Sequence, residues 1–175
     1  AMRMAINITA VLAMQMEDIA AGKAHDGFAD SLMREPGGAE LLAWAGEIPR
    51  RAYEGLAALP HLLVRAGALP TAKELLDLNV LLHLACWDED TAPADVGELR
   101  RKGRDFSTAE AAHLAVLERD AVVETIKLYR NLQDRGQVEL TVSPFYHPIL
   151  PLVCDTNVAR AAGQADQALV VAVDQ

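Results

Sequence analysis

Five histidines, two cysteines and a set of carboxylates are the residues of this chain best suited to chemistry. Neutral imidazole is the commonest transition-metal ligand. Glu110-Ala111-Ala112-His113 is an E-x-x-H, the spacing that metal sites inside helical bundles use, and Asp120 and Glu124 follow it. His83-Leu84-Ala85-Cys86 sets an imidazole and a thiol at i and i+3, on one side of a helix. His25-Asp26 stands at a helix junction. His83, His113, Glu110 and His25 are therefore the candidate metal ligands. Zinc, or another divalent transition metal, held by such a set with an open position would acidify a bound water. The chemistry would be attack of metal-bound hydroxide on an activated ester or phosphoester.

Each of these residues also has an ordinary reading. Glu110 completes a helix cap, His83 and Cys86 suit an apolar helix, and His25 suits a solvated surface. Cys86 or Cys154 as a nucleophile needs an adjacent base, and an apolar helix face disfavours the thiolate. Ser107 and Ser143 lie in no G-x-S-x-G context.

The elements that position these residues are mostly helical. Leu12, Met16 and Ile19 fall at helical spacing, which predicts a helix over 9–21. A short helix is expected after Asp26 and before Pro36-Gly37-Gly38, and another over 39–48. Pro49 and Pro60 divide the next stretch into short pieces. Thr71-Ala72-Lys73-Glu74 and Ser107-Thr108-Ala109-Glu110 are capping boxes, in which hydroxyl and carboxylate each bond the other residue's amide. They open helices over 75–87 and 108–134, the second with a stripe of Leu114, Leu117, Ala121, Leu128 and Leu132. A short basic helix over 95–103 ends at Gly103. Residues 137–142 alternate polar and apolar and read as a strand. Three prolines break residues 143–151, a short helix is expected from Asp155 or Thr156 to Ala162, and the apolar tail 168–173 suits either strand or helix.

Gly136-Gln137-Val138-Glu139-Leu140-Thr141, followed by Ser143-Pro144-Phe145-Tyr146-His147-Pro148-Ile149-Leu150-Pro151-Leu152 and Asp155, resembles glycoside hydrolase family 57. So do Asn7-Ile8-Thr9-Ala10-Val11-Leu12 with Gln15-Met16-Glu17-Asp18, Asp77-Leu78-Asn79-Val80-Leu81 with His83-Leu84-Ala85, and Lys102-Gly103-Arg104-Asp105-Phe106. The resemblance runs over about residues 7–160 and implies retaining α-glucan enzymes built on an incomplete (β/α) barrel. It places Glu139 and His147 near the sugar-binding cleft in the intact family, with a structural role the expected one here. The family's early His-Gln-Pro motif has no counterpart here, and its two reacting carboxylates would lie beyond the Tyr-His-Pro run. Retaining hydrolysis needs both, about 5 Å apart. The chain is thus expected to be an internal helical part of such a domain, without glycosidase activity of its own.

The chain has 175 residues, with 51% apolar and 23% charged, enough for one globular domain over 1–175. Its net charge of −9 argues against nucleic acids and anionic membranes as partners. No apolar run approaches the roughly 20 residues that span a bilayer. The run 5–14 is not followed by a clear signal cleavage site, and two distant cysteines suit a reduced cytoplasmic setting. Abundant Ala and Leu with 5% aromatics favour helix on helix. The expected fold is mostly α: a compact bundle with at most a short strand near 138–142, and not a complete barrel. Helices that once packed on a barrel would expose apolar faces, so a homo-oligomer is expected, a homodimer or larger, with exchanged helices as one form of it. Two function classes follow: a small zinc-dependent hydrolase of a small-molecule substrate, or a non-catalytic helical module; residual α-glucan binding is a third reading, for which no response to maltooligosaccharides is expected.

Overall fold

The computed structural model describes residues 4–145. Strand β1 (Met4–Thr9) leads into helix α1 (Ala10–Ala20). A 3-10 turn (Ala29–Met33), α2 (Gly38–Glu47), a second 3-10 turn (Arg50–Tyr53) and α3 (Leu59–Ala66) follow. Then come α4 (Ala72–Ala85), α5 (Ala94–Lys102), α6 (Thr108–Asp134) and β2 (Val138–Ser143). The fold is mostly α, and the described residues form no closed barrel. His147, Cys154, the proline-rich run beyond Phe145, the helix expected before Ala162 and the tail 168–173 lie outside the described residues.

Contacts divide the chain into two compact units, one of Met16–Lys127 and one of Ala1–Gln15 with Leu128–Gln175. The first is built around α4. Leu78, Val80, Leu81, Leu82, Leu84 and Ala85 are all buried, so from Asp77 to Ala85 this helix is buried on every side and forms the axis of the core. Leu41 of α2, Leu59 and Leu62 of α3, Val96 and Leu99 of α5, and Leu114 of α6 close over it. Burial of such a side chain stabilises the fold by about 1.5–3 kcal/mol.

Both capping boxes form. Thr71 Oγ1 accepts from the Glu74 amide at 3.2 Å, and Glu74 accepts from the Thr71 amide at 2.8 Å. Ser107 Oγ accepts from the Glu110 amide at 3.2 Å, and Glu110 accepts from the Ser107 amide at 2.7 Å. A cation completes each cap: Arg65 Nε donates to Glu74 at 2.8 Å and Lys102 Nζ to Glu110 at 2.6 Å. Helix α5 stops at Gly103, whose φ of 68° is the left-handed turn that favours glycine. The end of α4 is closed differently. Arg100 of α5 donates to the carbonyls of Leu84 and Trp87, both at 2.9 Å, and to Glu89.

Three elements differ from expectation. The segment after Asp26 makes a 3-10 turn rather than an α-helix. Asp26 Oδ1 accepts from the amides of Phe28 and Ala29, both at 2.9 Å, and the turn is too short to propagate. The apolar stripe of α6 outruns the core, with Leu114 buried but Leu128 53% exposed. Met4–Thr9 is a strand, where the sequence reads as the start of a longer apolar run. It pairs in parallel with β2, Met4 opposite Val138 through Thr9 opposite Ser143. Asn7 ties the pair together: its Nδ2 donates to Thr141 Oγ1 at 3.1 Å, and its Oδ1 accepts from Ser143 Oγ at 2.7 Å. A parallel pair needs a long crossover, and here the chain between its strands contains every described helix.

Thr71→Ala removes an N-cap acceptor and is expected to cost about 1 kcal/mol in urea denaturation, with Ser107→Ala costing a similar amount. The caps also set the acid limb of stability. Hydrogen bonds from Arg65 and Thr71 hold the Glu74 carboxyl at about 2, and those from Lys102 and Ser107 hold Glu110 at about 2. Both contributions are present above the ordinary value of 4.5 and are lost as the pH falls toward 2. In Glu74→Gln/Glu110→Gln, the dependence of the denaturation midpoint on pH between those limits is expected to flatten.

Candidate functional site

The polar residues of α4 are the chemically distinctive feature of the core. Asn79 and His83 lie one turn apart on a helix that is otherwise apolar, and both face the 3-10 turn that carries Ser31. All three are buried, with 0%, 1% and 0% of the surface of Ser31, Asn79 and His83 exposed. Asn79 Nδ2 donates to the Ser31 carbonyl at 2.9 Å, and Ser31 Oγ donates to Asn79 Oδ1 at 2.9 Å. Ser31 Oγ is also 2.9 Å from His83 Nε2. On the other side of the ring, Nδ1 lies 2.8 Å and 3.1 Å from the two carboxylate oxygens of Glu118 on α6. The Phe28 ring stacks flat on the imidazole, with centroids 3.9 Å apart and planes within 4°.

A serine, a histidine and a glutamate in this order resemble the charge-relay arrays of hydrolases. Two observations keep this array from acting as one. Ser31 has no exposed surface for a substrate to meet, and its hydroxyl hydrogen goes to Asn79. The cluster joins three elements instead. Asp77, two residues before Asn79 on α4, makes a further link: its carboxylate accepts from the amides of Asp105 at 2.9 Å and Phe106 at 2.8 Å.

The four candidate metal ligands stand with different partners. His25 Nδ1 is 3.1 Å from Asp30 on an exposed surface, and His83 belongs to the buried cluster. Glu110 is held by Lys102 and Ser107. His113 Nε2 is 2.7 Å from Asp95, both half-exposed or more. Among the described residues, no group of three or more His, Cys, Asp or Glu is placed to hold a metal ion. Burial, and then the charge of Glu118, raise the Cys86 thiol above its ordinary value, which works against a thiolate nucleophile.

Glu139 lies on β2 opposite Ala5, exposed, and its side chain forms no hydrogen bond or ion pair among the described residues. In the helical unit a cavity of about 910 Å³ opens where α2 and α4 end, lined by Trp44, Glu47, Cys86, Trp87, Glu89 and Arg100 among others. Arg100 fixes one wall by its bonds to Glu89 and Trp87.

Sequence reasoning singled out His83 without Ser31, Asn79, Glu118 or Phe28. Two polar side chains four apart on an apolar helix are a signal of buried partners. Their partners lie 48 and 35 residues away, and nothing local marks them. Replacing one member strands the others. Asn79→Ala leaves the Ser31 carbonyl and hydroxyl without their partner and is expected to cost about 1–3 kcal/mol. His83→Ala, which leaves the Glu118 carboxylate unpaired, is expected to cost about 3–5 kcal/mol. Urea denaturation of each variant measures this.

No curated protein and no solved structure matches the chain. Residues 98–168, less than half of the chain, match the sequence model of glycosyl hydrolase family 57. That stretch runs from α5 through α6 and β2 into the Tyr146-His147-Pro148 run, and over it the chain is related to glycoside hydrolase family 57.

Proposed function

We propose that this chain is a non-catalytic part of a glycoside hydrolase family 57-like domain, one that binds α-glucan chains without cleaving them by its own residues. The family match over residues 98–168 carries this reading. The family resemblance assigns Glu139 and His147 to sugar binding, and the exposed, unengaged carboxylate of Glu139 suits a hydrogen bond from a glucose hydroxyl. The strand pair points the same way. Parallel strands are ordinarily covered on both faces, yet Met4 and Val142 are 51% and 69% exposed. Several acids of the helical unit are already used for structure: Glu74 and Glu110 cap helices, Asp77 holds two amides, and Glu118 holds His83. Retaining hydrolysis would need two free ones.

The test is calorimetric titration with maltoheptaose, together with an assay for new reducing ends. The expected result is saturable binding that Glu139→Gln weakens about tenfold, one hydrogen bond to a charged group being about 1.4 kcal/mol, with no reducing ends released. Absence of binding, or cleavage by the chain alone, overturns the reading.

The second reading is a zinc-dependent hydrolase. The pair of His113 and Asp95 favours it, since an imidazole and a carboxylate already meet at 2.7 Å on the surface. Elemental analysis of the purified protein decides between the two. Stoichiometric zinc, with ester hydrolysis that a chelator abolishes, supports the hydrolase, and a metal-free protein supports the first reading.

A further inference from the structure

The amide of Asn79 has more hydrogens than the buried cluster uses. Its Oδ1 accepts from Ser31 Oγ at 2.9 Å, and its Nδ2 donates to the Ser31 carbonyl at 2.9 Å. A side-chain amide carries two N–H hydrogens. The second finds no acceptor among the described residues, although Asn79 is only 1% exposed. A buried donor without an acceptor is costly, and native structures rarely leave one. Asn79 also lines a cavity of about 550 Å³ in the helical unit, a size that suits a small molecule. Most of the other walls are apolar: Leu32 of the Ala29–Met33 turn, Leu75 and Leu76 of α4, Phe106, and Ala112 of α6. Leu32 and Phe106 are buried, and Leu75 and Leu76 are half-buried.

We propose that this cavity binds a neutral, mostly apolar small molecule with one carbonyl oxygen. The oxygen accepts the second Nδ2 hydrogen of Asn79, and the hydrocarbon lies against Leu32, Leu75, Leu76 and Phe106. Burial of the hydrocarbon supplies affinity, and the single donor supplies orientation. The charges at the cavity exclude an ionic ligand. Arg34 and Lys73 line it, but Arg34 is bonded to Glu40 and Lys73 Nζ lies 3.3 Å from Asp105. Glu35, also in the lining, makes no ion pair among the described residues. An anion would therefore meet two cations already paired and one carboxylate that is not. A cation would turn its charge toward an N–H donor and give up its hydration to apolar walls. A lone water suits the place poorly, because it needs two or more polar partners and the walls around Asn79 are mostly leucine and phenylalanine.

The test is nuclear magnetic resonance of the ¹⁵N-labelled chain, titrated with acetophenone and separately with ethylbenzene, which has nearly the same outline without the oxygen. Acetophenone is expected to move one of the two Asn79 Nδ2 hydrogens downfield, saturably, while the hydrogen bonded to Ser31 stays in place. Ethylbenzene is expected to leave both where they are. Ala112→Phe fills the cavity from α6 without touching Asn79 and is expected to weaken acetophenone binding at least tenfold. Leu75→Trp fills it from α4 and answers the same question if the first variant does not fold. Absence of saturable binding by acetophenone overturns the proposal. So does an equal shift of the Asn79 hydrogen with ethylbenzene, or binding that a folded cavity-filling variant leaves unchanged.

Discussion

A helix buried on all sides has no solvent to satisfy its polar groups, and this constraint organises the helical unit. Helix α4 is apolar except for Asp77, Asn79 and His83 among its buried residues. Each would cost a few kcal/mol if left unpaired. Each is instead bonded to a different part of the chain: Asp77 to the loop before α6, Asn79 to the Ala29–Met33 turn, His83 to that turn and to α6. Leucine packing is non-directional and would tolerate these segments in several registers. The three polar residues choose one. Asp105 shows the consequence for the backbone. It holds a left-handed φ of 60°, uncommon for a side-chain-bearing residue, and its amide is the donor that Asp77 captures.

What the sequence made legible was whatever is decided locally. Capping boxes at Thr71 and Ser107, the stop at Gly103 and the alternation over 137–142 each depend on residues within a few positions, and all are found in the structure. What depends on distant partners was not legible. Met4, Ile6 and Ile8 do alternate with Ala5, Asn7 and Thr9, but a run this short suits strand or helix equally. Only the partner 134 residues on decides, through the bonds from Asn7 to Thr141 and Ser143. The same holds for the site. His83 was visible as a histidine on a helix, but its role belongs to Ser31 and Glu118. A histidine with both nitrogens bonded to protein atoms is chemically a different object from one with a free lone pair.

The stretches through which the chain resembles family 57 acquire physical meanings in the structure. Asp77 and Asn79 lie in one of them, and Lys102, Gly103, Asp105 and Phe106 in another, while His83 departs from the family's pattern. In three dimensions these two stretches meet, Asp77 bonding the Asp105 and Phe106 amides while Lys102 completes the cap of α6 with Glu110. Residues 102–106 lie inside the region that matches the family model, and Asp77 and His83 lie before it. Within the matched region, Lys102, Asp105 and Phe106 thus hold helices in place. Such residues bear on fold and not on reaction.

That distinction separates the acids that hold the fold from those free to act. Carboxylates and imidazoles are the usual catalytic groups of a small protein, but a group can serve catalysis only while its lone pairs or protons are free to exchange with substrate. In the helical unit Glu74, Asp77, Glu110, Glu118 and His83 are all committed to bonds whose loss would loosen the fold. Glu139 is of another kind: a carboxylate on a strand, exposed, answering to no internal partner among the described residues. Function is to be sought where a polar group has no structural reason to be, and β2 supplies that case inside the region related to the sugar-processing family.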